Sequence, residues 1–171
     1  MQKIIFLYGP SCAGKSVIAE EILKEENFIH VHYDRIKWFI SDYSRDKTQY
    51  KPFVIDIMST LIEKSQKQGF SILIEGIPCD LFEKIQQQYE KTAKILPIKV
   101  TANTEILKSR FQERIKSAQD SDRKISNTSL DVFMELLEFY NKAPEYGITI
   151  DTSEISIEET KAKVGSYIHS L

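Results

Sequence analysis

Eight residues near the start of the chain, Gly9-Pro10-Ser11-Cys12-Ala13-Gly14-Lys15-Ser16, have the types and spacing needed to grip phosphate groups. They match GxxxxGK[ST] in full. A chance match in a chain of this length has a probability on the order of 1% or less at average residue usage, so a Gly-containing turn before an ordinary helix is the weaker reading. Glycines let the backbone curl around a phosphate chain, and amides of the loop and of the following helix can donate to its oxygens. The Lys15 ammonium can reach between the β- and γ-phosphates, and the Ser16 hydroxyl can ligate Mg2+. Val17, directly behind, counts with the loop as a nucleotide contact.

Such a loop works only between a strand and a helix, and the flanking residues supply both. Lys3 to Tyr8 reads as a strand buried on both faces, and Lys15 to about Glu26 as the helix. Further on, short apolar runs alternate with helical periods. Strands are expected at Phe28 to Tyr33, Phe70 to Glu75, Ile95 to Ala102 and Gly147 to Asp151. Helices are expected from Arg35 to about Ile40, from Pro52 to Gln68 with Pro52 in its first turn, and through Tyr89 behind an Asp80/Glu83 capping box. Others should follow Asn103 as N-cap (Glu105 to Ala118), run from Thr128 to Lys142, and close the chain behind Ser156 and Glu159. Asp120 to Asn127 has no apolar period and reads as a polar loop. This alternation is the pattern of an α/β fold, a parallel sheet covered by helices.

Composition sets the outer limits. The 171 residues are 42% hydrophobic and 28% charged, enough to bury the core of one domain spanning 1–171 and too apolar for a disordered chain. A formal charge of −2 provides no global basic field for a long nucleic acid or an anionic bilayer. The longest apolar runs are strand-sized, so neither a membrane span nor a signal peptide is expected. Two cysteines, Cys12 and Cys79, are too few for a disulfide framework and fit a cytoplasmic protein. His30, His32 and His169 show no metal-ligand spacing and are assigned no chemistry.

With the loop motif and the element order together, nearly the whole chain resembles the P-loop kinases that phosphorylate small molecules. That superfamily includes nucleoside monophosphate, shikimate and gluconate kinases, chloramphenicol phosphotransferase, polynucleotide 5′-kinases and zeta toxins. The resemblance implies a three-layer fold with a five-stranded parallel sheet in order 2-3-1-4-5, helices on both faces and a lid at about 115–128. It implies ATP, or alternatively GTP, as donor with Mg2+, and a hydroxyl acceptor bound at about 35–60. A monomer or homodimer is expected.

Single residues then take expected roles from the resemblance. Asp34, behind the second strand, looks like the acid that accepts the proton of the acceptor hydroxyl, although capping the next helix is the plainer job for an Asp there. Arg35 beside it could touch substrate or Asp34, or simply lie exposed. Glu75 stands at a position similar to Walker B, in place of the commoner aspartate, and would help hold Mg2+ with Ser16. Arg110 and Arg114, spaced i, i+4, resemble an RxxxR pair whose first member stacks on the base while the second approaches the phosphates. Arg123 in the lid would bring charge onto the transferring group, as Lys124 could. Thr152 and Ser153 resemble the segment bordering the adenine, in a role that rests mostly on backbone.

Cys79 stands where nucleoside monophosphate kinases keep an arginine for the acceptor phosphate, which favours an uncharged alcohol as acceptor. A polynucleotide 5′-hydroxyl is the first rival. It would need a basic track through Arg35, Lys37, Arg45, Lys47 and Lys51, which Asp42 and Asp46 interrupt. A nucleotide-dependent switch without phosphoryl transfer is the second. Trp38, Phe39, Tyr43, Tyr50 and Phe53 are expected chiefly as core, with an aromatic acceptor pocket as the alternative, and Cys12 with Cys79 as a conceivable redox pair.

Overall fold

A computed structural model describes residues 1–24, 27–40, 47–76, 79–119 and 129–170. Its strands are β1 (Lys3–Tyr8), β2 (Phe28–His32), β3 (Ser71–Glu75), β4 (Lys94–Thr101) and β5 (Ile148–Asp151). Its helices are α1 (Lys15–Ile22), α2 (Tyr33–Lys37), α3 (Lys47–Lys67), α4 (Cys79–Tyr89), α5 (Thr104–Gln119), α6 (Leu130–Lys142) and α7 (Ile157–His169). The strands form one sheet in the order β2-β3-β1-β4-β5, with parallel pairing and helices on both faces. Burial from both sides explains why β1 reads as an unbroken apolar run: Ile4 to Tyr8 are at most 1% exposed.

By contacts the chain groups into two compact units, residues 1–8 with 19–97 and residues 9–18 with 98–171. In the first, β2 and β3 pair in the register Val31 to Ile74 and His32 to Glu75. α3 packs on these strands and buries Val54, Met58 and Ile62, one residue per turn of a single face. α4 contributes Phe82, whose ring centroid lies 4.8 Å from that of Phe6. Each such fully buried side chain is worth about 1.5–3 kcal/mol of transfer free energy.

The second unit carries the phosphate-loop residues, the end of β4, β5 and helices α5 to α7. Phe111 of α5 and Phe133 of α6 stack with centroids 4.3 Å apart and planes 18° from parallel. Asn103 caps α5 by accepting the Glu105 N–H at 2.9 Å, and Ser156 with Glu159 forms the complete capping box of α7, both as expected. Lys99 is buried and donates to the Ala143 carbonyl at 3.1 Å, closing the C-terminal end of α6.

Several boundaries differ from expectation. α1 ends at Ile22 rather than near Glu26. β2 stops at His32, and Tyr33 already belongs to α2, which ends at Lys37. α3 begins at Lys47, so Pro52 lies inside the helix rather than in its first turn. Its missing N–H removes one bond to the preceding turn, which a 21-residue helix tolerates near its start. α4 starts at Cys79, which makes Asp80 its second residue and not its cap. α6 begins at Leu130 rather than Thr128 and buries Phe133 and Leu137, while Leu136 is 39% exposed. The polar stretch Asp120 to Asn127 lies outside the described residues.

Candidate functional site

The loop between β1 and α1 has the backbone that its glycines allow. Gly9 has φ +136°, and a Cβ there would stand 2.0 Å from the carbonyl oxygen of Val100, so only glycine fits. Cys12 holds a left-handed φ of +65°, uncommon for a residue with a side chain. The ladder of α1 opens with Val17 N–H donating to the Gly14 carbonyl at 3.1 Å. Lys15 folds its ammonium back over the loop, donating to the carbonyls of Gly9 at 2.9 Å and Pro10 at 2.7 Å. Ser16 is exposed on the first turn of α1. A cation anchored over a ring of backbone groups at a helix start suits a polyanionic ligand.

Thr152, directly after β5, ties this loop to its surroundings. Its side chain is buried, and its Oγ1 lies 3.0 Å from the Ala13 carbonyl and 3.1 Å from the Thr101 carbonyl, while accepting from Arg110 Nη1 at 3.0 Å. Arg110 Nη2 donates to the Thr152 carbonyl at 2.9 Å, and Nη1 also reaches the Cys12 carbonyl at 3.4 Å. The fixed guanidinium forms one wall of a cavity of about 260 Å³, with Gly14, Val17, Ile155, Ile157 and Thr160 among its other lining residues. Apolar walls and one flat cation suit a planar aromatic ring. Thr152 was expected to act through its backbone, but its hydroxyl makes three of the contacts. Ser153 accepts from the Asn103 N–H at 2.6 Å and donates to Asp151.

The first unit holds the two acidic candidates. Asp34 does not cap α2. That position belongs to His32, whose Nδ1 accepts the Asp34 N–H at 3.1 Å. The Asp34 carboxylate pairs with Lys37 one turn on, and the Lys37 ammonium also sits 5.9 Å from the centre of the Tyr33 ring. Arg35 is exposed. Glu75 is 3% exposed at the end of β3; its Oε2 accepts from His30 Nε2 at 3.0 Å and lies 3.6 Å from His32 Nε2. Burial lowers the pKa of His32 below its usual value, against the opposing pull of the Glu75 and Asp34 charges. His30 and His32 were assigned no chemistry from the sequence, and Lys37 only a place in the basic track of the polynucleotide reading. The strand alternation of His30 and His32 just before Asp34 was the available signal.

The remaining candidates vary. Arg114 is exposed one turn beyond Arg110. Arg123 and Lys124 lie outside the described residues, as do Tyr43, Asp42, Arg45 and Asp46 and the side chain of Cys79; Cys12 is a free thiol. Trp38, Phe39 and Phe53, expected as core, are 55%, 86% and 55% exposed. Trp38 and Phe39 directly follow the end of α2, and Phe53 lies on α3 beside the buried Val54. For Mg2+, the Ser16 hydroxyl and the Glu75 carboxylate are hard oxygen donors of the fitting kind. Among the described residues no group of three or more His, Cys, Asp and Glu could hold a metal ion, and Mg2+ needs none, since it retains water and phosphate oxygens. Among the described residues no helix is long and apolar enough to cross a membrane.

The sheet order and the strand-loop-helix site define the fold of the P-loop kinases, and solved structures agree. A protein of Chloroflexus aurantiacus provisionally described as a kinase superposes with a TM-score of 0.70 at 17% identity, over 97% of this chain and 98% of its own. A sugar kinase of Janibacter gives 0.67 at 13% identity, over 98% and 94%. The APS kinase of Mycobacterium tuberculosis, solved with AMPPNP and APS, gives 0.64 at 13% identity, over 98% and 97%. The AAA domain family matches residues 5–131, and the chain belongs to that family. No curated protein matches the sequence.

Proposed function

We propose that this chain acts as a single-domain phosphotransferase, moving the γ-phosphoryl group of ATP, or alternatively GTP, to a hydroxyl of a small molecule. The observation that carries it is the loop Gly9 to Ser16, with Lys15 anchored over its carbonyls and Arg110 fixed beside an apolar cavity at the same loop. In this reading Gly9, Pro10, Ser11, Cys12, Ala13, Gly14, Lys15, Ser16 and Val17 bind the triphosphate, and Arg110, Thr152 and Ser153 border the base. Support for the donor also comes from the tuberculosis enzyme, which was solved with a nucleotide triphosphate analogue.

Ser16 and Glu75 would hold Mg2+, which supplies charge neutralisation of the phosphates. Asp34 accepts the proton as the acceptor oxygen forms its bond to phosphorus, while the bond between the γ-phosphorus and the β,γ-bridging oxygen breaks and leaves ADP. Lys15, Arg114 and Arg123 stabilise the negative charge on the transferring group, the last as part of a lid at about 115–128. No protein nucleophile is needed, so the contribution is positioning and charge. A cytoplasmic location and a monomer or homodimer accompany this proposal.

A polynucleotide end as acceptor is favoured less. Of its basic track, Lys37 is turned onto Asp34 rather than outward to a backbone phosphate. The test is transfer of radiolabelled γ-phosphate to a panel of hydroxyl-bearing metabolites, antibiotics, nucleosides and oligonucleotide ends. Acceptor-dependent labelling of a small alcohol supports the proposal, and ATP binding without transfer to any acceptor overturns it in favour of a switch.

A further inference from the structure

We infer that His30 and His32 are positioning residues which lock the Glu75 carboxylate in place and tie it, through one imidazole ring, to the Asp34 backbone. The inference rests on the reading of Glu75 and Asp34 just given. Strand alternation puts His30 and His32 on one face of β2, and the parallel register sets His32 opposite Glu75. The two rings lie 5.4 Å apart, both mostly buried against the same carboxylate oxygen.

The tautomer follows from the contacts. His32 Nδ1 accepts the Asp34 N–H, so it must offer a lone pair, and the ring proton of neutral His32 is on Nε2. His32 Nε2 lies 3.6 Å from Glu75 Oε2, an electrostatic contact longer than a hydrogen bond, while His30 makes the hydrogen bond at 3.0 Å. One oxygen is therefore held from two sides. Partners of this kind usually matter by 10- to 100-fold in metal affinity or activity.

Three measurements test it. At pH 8, long-range proton–nitrogen spectra of the wild-type protein should show His32 as the Nε2–H tautomer, and an Nδ1–H tautomer overturns the inference. Calorimetry of ATP binding with and without Mg2+ should show a Mg2+-dependent gain that shrinks roughly ten-fold in His30→Leu, with Mg2+-free affinity unchanged. His30→Gln, whose amide nitrogen can stand near Nε2, should restore that gain. His32→Asn, whose amide oxygen can stand near Nδ1, should retain slow exchange of the Asp34 amide, and His32→Leu should lose it. Should the Leu variants fail to fold, the His32 tautomer still decides, and Gln and Asn variants that behave as a residue without a donor or acceptor overturn the inference. If wild-type protein shows no ATP binding, the kinase reading falls and this inference with it. If wild-type shows the Mg2+ gain and His30→Leu retains it in full, the inference alone falls.

Discussion

Replacing Thr152 with Val keeps the shape of the side chain and removes the one hydroxyl that meets Ala13, Thr101 and Arg110. The hydrogen bond from the Arg110 guanidinium, a charged donor, is worth about 1.5–3 kcal/mol, and a buried carbonyl left short of its donor costs about 1–3 kcal/mol. Part is retained, because Arg110 still reaches the Thr152 and Cys12 carbonyls and the Thr152 N–H still donates to Thr101. A net loss of about 2 kcal/mol follows, and for a chain of this size that lowers Tm by about 4–8 °C. Ala13 lies inside the phosphate loop, so ATP affinity should fall as well, by roughly ten-fold if 1.4 kcal/mol of the loss is felt there. Thr152→Ser, which retains the hydroxyl, should recover most of both. Thermal melting and ATP calorimetry on the three proteins settle the matter: a Thr152→Val protein that melts and binds like wild-type would refute the role given to the hydroxyl.

Glycine positions offer a contrast. Gly9→Ala should destabilise by well over 3 kcal/mol or fail to fold, because its Cβ would overlap the Val100 carbonyl, whereas Gly69→Ala, with nothing within 4 Å, should cost only the left-handed backbone, about 1–2 kcal/mol, in denaturant melts. Asp34→Asn should lower kcat by roughly 10²- to 10⁴-fold while calorimetric ATP affinity holds, and an unimpaired variant removes Asp34 from the chemistry. Ser156→Ala should cost about 1 kcal/mol of stability. The backbone N–H and then the hydroxyl of Ser156 hold the Glu159 carboxyl below its usual pKa. The folded state thus favours the charged form, so the box stabilises at neutral pH and its contribution fades as pH falls through the lowered pKa. Melting curves of wild-type and Ser156→Ala should draw closer in acid without meeting, because the Ser156 hydroxyl still accepts the Glu159 N–H there.

What could be read from the sequence depended on whether a contact is local. β1 and its loop were plain because a strand buried on both faces must be apolar throughout and a phosphate grip needs glycines at set places. The Asn103 and Ser156 caps were plain because their partners lie two and three residues away. The His30–Glu75 and Arg110–Thr152 contacts span 45 and 42 residues and depend on strand register and helix docking, which periodicity does not encode. Trp38 and Phe39 misled for a related reason. An aromatic side chain suggests core unless the neighbouring element is known to end, and α2 ends at Lys37.

The carbonyls of Gly9 and Pro10 hold Lys15 as a tethered counterion. Freezing a lysine side chain costs up to about 2 kcal/mol of rotamer entropy. Here that loss is incurred once, when the polypeptide folds, and is not repeated with every donor molecule that arrives. The donor meets a charge whose direction is already set.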